Sequence, residues 1–256
     1  ERLCIEHPKF FADYPNDQDV KCLVFDIETH SPDGTFPFGE KYPIVAIGIV
    51  TSTGERKVLL WDGEDDKKLL WDFAKYVEQY DPDILVGWNL VGYDIPQILH
   101  RARYHGLKGY KKILNRDNSD WGWDVGKRQK DLKMNAGGRI ILDLLRWTRL
   151  DYSLSGTPRG LKSVSRSFGL EPLELDFGKK DLLDYSMEEI NEYVLSDVDC
   201  TMYLYNHYFP QIQYIAEILC VPLATYTNAP ASYITKILQG RALKQQNILT
   251  LDKNID

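Results

Sequence analysis

Residues 22–29 read Cys-Leu-Val-Phe-Asp-Ile-Glu-Thr, an apolar run that ends in two carboxylates two positions apart. Alternate residues of a strand point to the same face, so Asp26 and Glu28 project together, away from Phe25 and Ile27. Burying one carboxylate at the edge of a core is costly, and two that face the same way repel each other. Bound divalent cations remove both penalties. The segment therefore predicts a strand that carries a metal site.

The composition is that of an ordinary globular protein. With 256 residues, of which 43% are hydrophobic, the chain has ample material for a large core. Its four cysteines form no CxxC or CxxH pattern, which favours a reduced protein over a disulfide scaffold or a zinc site. No apolar stretch approaches the length of a membrane span. We therefore expect an intracellular protein, in the cytoplasm of a prokaryote or the nucleus of a eukaryote, with no membrane partner.

The net charge of −7 is unusual for a nucleic-acid-binding protein, but basic residues cluster locally. Residues 95–116 contain no Asp or Glu, and a second basic stretch at 127–139 is interrupted only by Asp131. A basic face of this kind can bind phosphates even on an acidic molecule. A solvated helix face and loop is the alternative interpretation. The residues concerned are Arg101, Arg103, Lys108, Lys111, Lys112, Arg116, Lys127, Arg128, Lys130, Lys133 and Arg139.

Hydrophobic periodicity and turn residues predict strands, helices and one hairpin. The predicted strands are 21–27, 43–51, 56–61 and 84–87. The predicted helices are 65–80, 94–105, 143–150, 160–168, 187–218 and 230–246. The hairpin pairs 126–135 with 139–142 over a Gly-Gly turn. Strands early, strand–helix units in the middle and helices late predict a mixed α/β sheet covered by helices.

A second acidic element follows the predicted strand 84–87. Asn89 stands in a Gly-containing loop, and Asp94 lies five residues later, at the start of the next helix. Taken alone, Asp94 is better explained as an N-cap, with Pro96 in the first turn.

The third element is Tyr193 with Asp197, four residues apart on the long predicted helix. Residues at this spacing share one helix face. The pair lies about 100° from the apolar stripe of the helix, so it flanks the buried seam. In isolation, a surface Asp beside a half-buried Tyr is the alternative interpretation.

Together these elements supply four carboxylates and one phenol. Hard cations such as Mg²⁺ or Mn²⁺ prefer oxygen ligands of this kind. Sites with two such ions catalyse in-line attack of water on phosphodiesters. The set therefore predicts a two-cation site.

The chain resembles the 3′→5′ exonuclease (proofreading) domain of family B DNA polymerases. The resemblance rests on three ordered motifs: Phe25-Asp26-Ile27-Glu28-Thr29, Asn89 with Asp94, and Tyr193 with Asp197. Gly138-Arg139-Ile140 with Asp143, and Asp81-Pro82-Asp83, match as well. These are the motifs of DEDD exonucleases with Tyr in the third motif. The fold implied is a ribonuclease H-like mixed β-sheet flanked by helices, with an inserted β-hairpin.

The resemblance implies a role for each motif residue. Asp26 bridges two divalent cations, Glu28 and Asp197 complete the first, and Asp94 holds the second. Tyr193 with Glu28 orients the attacking water. The residues implied in substrate binding are Asn89, Thr29 and Phe38. The implied partners are a single-stranded DNA 3′ end, primer-template DNA and the remaining polymerase domains.

The resemblance also implies a domain division. Residues 1–20 form an N-terminal arm, 21–220 the exonuclease domain, and 221–256 a C-terminal helical segment leading toward an absent polymerase palm. The palm motifs are missing, so we expect no nucleotide addition. The chain is either an excised proofreading domain or a free-standing relative, and its start at Glu1 favours excision.

Two other functions stay open from the sequence. One is a DEDD exonuclease acting on RNA, and the other is a catalytically silent module that binds single strands or supports a polymerase. Phe36 and Phe38 are candidates for stacking on terminal bases, or else close over the core. Trp121 and Trp123 either anchor their loop to the core or contact DNA. Basic residues on or beside the predicted helix 160–168 are candidates for phosphate contact: Arg159, Lys162 and Arg166.

Overall fold

The computed structural model describes residues 20–31, 33–110, 114–117, 122–123, 134–135, 137–176, 181–219 and 222–228. The predicted helix 230–246, residues 1–19 of the predicted arm, Trp121, and the basic residues at 111–112 and 127–133 lie outside these ranges. The side chain of Trp123 is also outside the description.

The described residues form seven strands and six α-helices. The strands are β1 (Cys22–Thr29), β2 (Ile44–Thr51), β3 (Arg56–Leu60), β4 (Ile84–Gly87), β5 (Gly122–Trp123), β6 (Met134–Asn135) and β7 (Ile140–Asp143). The helices are α1 (Lys67–Tyr80), α2 (Asp94–Tyr104), α3 (Leu144–Thr148), α4 (Leu161–Ser167), α5 (Met187–Leu219) and α6 (Leu223–Asn228).

Five strands form one mixed sheet in the order β3-β2-β1-β4-β7. β2 pairs with β1 and β3 in antiparallel fashion. β4 pairs with β1 and β7 in parallel. The predicted mixed sheet flanked by helices is confirmed.

The second strand of the predicted hairpin, 139–142, lies in the main sheet, where β7 pairs with β4 in parallel. Residues 126–133 of the predicted first strand lie outside the described residues. Ile141 and Leu142 are buried, as expected of a parallel strand covered on both faces. A separate antiparallel pair does exist, between β5 and β6.

Helices cover both faces of the sheet. On one face, α1 and α2 bury their apolar stripes against β1, with the rings of Phe25 and Phe73 5.0 Å apart. On the other face, Ile190 and Val194 of α5 pack against Ala46 of β2. β1 is therefore central, and its C-terminal carboxylates lie beside α5.

The predicted basic face is wrong for three of its arginines. Arg101 is buried and forms an ion pair with Asp66, which is fully buried. Arg116 and Arg139 both pair with Asp81. Acids distant in the chain neutralise these side chains, and local composition does not reveal such partners.

Contacts between Cα atoms divide the chain into two compact units. One is Asp19–Tyr208, which contains the whole five-stranded sheet. The other joins Glu1–Gln18 to Phe209–Asp256. Among the described residues, no helix is both long enough and apolar enough to span a bilayer.

Candidate metal centre

Three carboxylates lie together at the end of β1. One oxygen of each of Asp26, Glu28 and Asp197 lies within 4.8 Å of the others. Oxygen ligands of a hard cation stand roughly 2.0–2.6 Å from the ion, so oxygens this close can share one. The structure thus brings the first and third motifs into one cluster.

A glycine lets α5 come close enough to complete this cluster. Gly48 of β2 is paired with Asp26 of β1. A Cβ atom at Gly48 would lie 2.4 Å from Cγ1 of Val194 and 3.2 Å from its carbonyl oxygen. Tyr193 and Asp197 flank this contact and are both buried. The absent side chain therefore fixes how close Asp197 comes to β1.

Asp94 is the fourth carboxylate at this site. It begins α2 and is 2% exposed. Its charge is the largest neighbouring contribution to the raised pKa of Asp26, ahead of that of Glu28. The second motif therefore faces the first, although Asp94 lies outside the 4.8 Å group.

Burial raises the pKa values of all four carboxyls, and repulsion within the cluster adds to this effect for Asp26 and Glu28. Burial, then the charges of its neighbours, raise the pKa of Asp26 well above its ordinary value. Burial is also the main cause of the raised pKa values of Glu28, to about 8, of Asp94, to about 8, and of Asp197, to about 6. The cluster therefore favours positive charge, whether from protons or from cations.

The donor set fits divalent cations. Oδ1 of Asp197 is buried and has no hydrogen-bond partner among the described residues. An unpaired buried carboxylate oxygen is costly, and a bound cation would satisfy it. All four side chains offer oxygen, which suits Mg²⁺ or Mn²⁺ rather than softer metals.

Tyr193 is placed to act as a hydrogen-bond donor. Its phenol donates to Asp197, which helps to lower the pKa of that carboxyl against the effect of burial. Burial, followed by the charges of Glu28 and Asp197, raises the pKa of Tyr193. The phenol is therefore protonated at neutral pH.

Lys162 joins the cluster, a position that the sequence does not reveal. Its Nζ atom lies 3.6 Å from Oδ2 of Asp197 and 3.8 Å from the centre of the Tyr193 ring. The sequence suggested only a phosphate contact or a solvated helix face. The approach depends on how α4 packs against α5, for which the sequence carries no signal.

Thr29 and Phe38, predicted to bind substrate, lie around Tyr93 beside the carboxylates. Oγ1 of Thr29 and the Tyr93 hydroxyl are 2.5 Å apart. The rings of Phe36 and Phe38 lie 5.5 and 6.0 Å from that of Tyr93. Phe36 is 73% and Phe38 38% exposed, so neither closes over the core. Exposed rings of this kind can stack on bases.

The fully buried Gln97 of α2 forms hydrogen bonds to the loop that carries Phe36 and Phe38. Its side-chain oxygen accepts a hydrogen bond from the Gly39 amide, and its nitrogen donates to the carbonyls of Gly39 and Tyr42. Since α2 begins at Asp94, one helix positions both a carboxylate and the aromatic loop.

Asn89, the third predicted substrate residue, shapes the loop before α2. Its φ of 59° is left-handed, a conformation that Asn tolerates better than most residues. The Asn89 and Val91 amides each donate to the Asp143 carboxylate at 3.1 Å. Asp143 therefore holds the loop that leads to Asp94, and its charge adds to the raised pKa of the Asp94 carboxyl. The roles of all predicted site residues stay predictions.

Comparison with known proteins places the chain in a family. Residues 4–164 match the exonuclease domain of family B DNA polymerases. Because this match covers more than half of the 256 residues, the chain belongs to that family. The match ends before Tyr193, so the third motif lies beyond it.

Individual relatives extend the similarity over most of the chain. The DNA polymerase delta catalytic subunit of Candida albicans is 23% identical, over 88% of this chain and 24% of that protein. A DNA polymerase of Archaeoglobus fulgidus is 33% identical, over 45% of this chain and 16% of that protein. The chain thus spans about a quarter or less of the length of these relatives.

A solved structure shows the same fold. The family B DNA polymerase of Pyrobaculum calidifontis superposes with a TM-score of 0.73 at 23% identity. The superposition covers 89% of this chain and 29% of that polymerase. The fold is therefore that of the exonuclease domain of such a polymerase.

Proposed function

We propose that this chain is a 3′→5′ exonuclease that uses two divalent cations. It hydrolyses single-stranded or frayed DNA 3′ ends, releases nucleoside monophosphates and serves as the proofreading part of a family B DNA polymerase. The supporting observation is the convergence of Asp26, Glu28 and Asp197 within 4.8 Å, with Asp94 facing them.

The four carboxylates hold the cations. Asp26, Glu28 and Asp197 would hold one cation, and Asp94 with Asp26 would hold the second. When bound, divalent cations lower the pKa of the attacking water and stabilise the charge on the departing 3′-oxygen. The family membership and the all-oxygen donor set support this assignment.

Tyr193 and Glu28 orient the water that attacks the terminal phosphodiester. The phenol O–H donates to Asp197 in the cation-free protein; with a cation on that carboxylate, the same O–H would donate to the water, and the Glu28 carboxylate would accept from the water. One donor and one acceptor fix the direction of the lone pair that attacks phosphorus. Fixed orientation of this kind can contribute several kcal/mol to a rate.

The exposed rings of Phe36 and Phe38 receive the terminal bases, with Thr29 and Asn89 beside the last nucleotide. Base stacking on an aromatic ring contributes about 1–3 kcal/mol per base. The proposed partners are a single-stranded DNA 3′ end, primer-template DNA and the remaining polymerase domains. The division into an arm at 1–20, a nuclease domain at 21–220 and a connecting segment at 221–256 belongs to this proposal.

The test is digestion of a 3′-labelled single-stranded DNA with Mg²⁺ or Mn²⁺. We expect release of the labelled mononucleotide, its loss with EDTA, and its loss in Asp26→Ala. A matched RNA is the parallel substrate, and faster RNA cleavage would favour the ribonuclease alternative. An unchanged rate in Asp26→Ala would refute the site. Strand binding without cleavage under every cation condition would favour the silent module.

A further inference from the structure

Lys162 lies beside the carboxylates of the site, and a hydrogen bond holds its ammonium group in place. It lies in the first turn of α4, and Nζ donates a hydrogen bond of 2.7 Å to the carbonyl of Leu173. The amide of Leu173 in turn donates to Oγ of Ser196, the neighbour of Asp197 on α5. The ammonium group is therefore anchored to the segment that contacts the Asp197 turn.

The ammonium group acts on the whole cluster. Nζ faces Oδ2 of Asp197 at 3.6 Å, whereas Oδ1 of the same carboxylate stays unpaired among the described residues. Nζ also lies over the Tyr193 ring at 3.8 Å, within range of a cation–π interaction. Its charge lowers the pKa values of Asp26, Glu28 and Asp197 against the effect of burial.

A fixed positive charge here has two opposite consequences. Before cations bind, it offsets the repulsion among the carboxylates and holds Asp197 by one oxygen, which leaves the other for a ligand bond. Once cations bind, the same charge repels them, because like charges a few ångströms apart interact strongly even in a partly aqueous setting. The two effects predict different measurements.

We propose that Lys162 is the built-in counter-ion of this site: a positioning residue that holds Asp197 and Tyr193 in the cation-free protein and lowers the affinity for divalent cations. The proposal takes the location of the cations from the function proposed above. Its binding test requires no nuclease activity.

The first test is calorimetric titration of Mn²⁺ into the wild type and three variants at pH 8.5. We expect Lys162→Met to bind Mn²⁺ about fivefold more tightly, since one repelling charge is gone. Lys162→Arg keeps the charge and should bind as the wild type does. Arg166→Met is the matched control, because Arg166 lies on the same helix but pairs with Glu174 at the surface.

A merely structural role of Lys162 predicts the opposite change in Mn²⁺ affinity. If Lys162 only supported the fold, its loss would disorder the ligands and weaken Mn²⁺ binding. Weaker or equal affinity in Lys162→Met would overturn the proposal. So would a rise in KM for DNA without any change in Mn²⁺ affinity, which would instead assign Lys162 to a phosphate contact. Equal affinities leave the proposed function intact, whereas no binding by the wild type contradicts both proposals.

The second test uses the cation-free protein. Lys162→Met should lower Tm more in the wild-type background than in Asp197→Asn, because the variant carboxamide leaves no ion pair to lose. Equal shifts in the two backgrounds would contradict the counter-ion role. This comparison depends on neither cation binding nor nuclease activity.

Discussion

Asp197 and Asp199 are two positions apart on α5, and the fold separates their roles. Asp197 is buried beside Asp26 and Glu28, whereas Asp199 is part-exposed and forms an ion pair with Arg56. Both are acidic residues on one helix, and only their orientation distinguishes them. They form a matched pair for testing the site.

We predict that Asp197→Asn lowers kcat for single-stranded DNA by more than about 100-fold, because a lost cation ligand removes several kcal/mol of transition-state stabilisation. Asp199→Asn should stay within about twofold of the wild type, since surface ion pairs contribute little. Steady-state kinetics with Mg²⁺ measures both. Equal losses in the two variants would show that Asp197 has no special role.

At the scale of single residues, the sequence reveals the carboxylates of the site but not the residues that contact and position them. Asp26 and Glu28 are recognisable because two carboxylates end an apolar strand, an arrangement that needs a cation. Lys162 and Gln97 are not recognisable, because nothing local distinguishes them from surface residues. Their contacts depend on segments that lie 31–35 and 55–58 positions away in the chain.

At the scale of elements, the site depends on the contact between α5 and β2. Gly48 leaves the space that Val194 fills, and Val194 is a β-branched helix residue with little rotamer freedom. A larger residue at Gly48 must displace the helix. Tyr193 and Asp197 would move with it.

We predict that Gly48→Ala lowers stability by about 1–3 kcal/mol, the usual cost of overpacking. Its nuclease rate should fall by about 10- to 100-fold, because small displacements of reacting groups are costly. The double variant Gly48→Ala/Val194→Ala removes the closest of these contacts and should recover part of the rate. Denaturant unfolding and kinetics measure both effects. No recovery in the double variant would refute the packing argument.

Asp66 joins three elements through one carboxylate. It precedes α1 and accepts hydrogen bonds from the Ile44 amide of β2 and from Arg101 of α2. Burial alone would raise its pKa, but the hydrogen bonds from Arg101, Ile44 and His105 hold the pKa below its ordinary value. The ionised form therefore stabilises the fold.

We predict that Asp66→Asn lowers the free energy of unfolding at neutral pH by about 3–5 kcal/mol, because Arg101 keeps a buried charge without its partner. A lowered folded-state pKa stabilises above the unfolded value of about 3.9 and loses that effect as pH falls through the folded value. The difference between wild type and variant should therefore shrink below about pH 4. Urea unfolding between pH 7 and 2.5 measures it. A difference that grows on acidification would contradict the assignment.

The sequence predicts most elements, but it does not reveal which strands pair in the main sheet. Strand 84–87 is correct to the residue because Asp81-Pro82 and Gly87 punctuate a short apolar run. Gly137-Gly138 indicates a tight turn before β7. Nothing local indicates the parallel pairing of β7 with β4, because that pairing joins segments far apart in the chain.

At the scale of the whole molecule, three motifs distant in the chain predict one site, and the fold brings their carboxylates together. Residues 26 and 28 are fixed by one strand, residue 94 by the start of a helix on one face, and residue 197 by a helix on the other. The order of motifs is visible in the sequence. Their distances are not, because they depend on sheet order and on the close approach at Gly48.

The most direct test of the central claim is the anomalous difference map of crystals soaked with Mn²⁺ and a nucleoside monophosphate. We predict manganese peaks between Asp26, Glu28 and Asp197, and a second peak bound through Asp26 and Asp94. Both peaks should be absent in Asp26→Ala. An ordered structure with Asp94 or Asp197 turned away from β1, and no manganese among these carboxylates, would contradict the account.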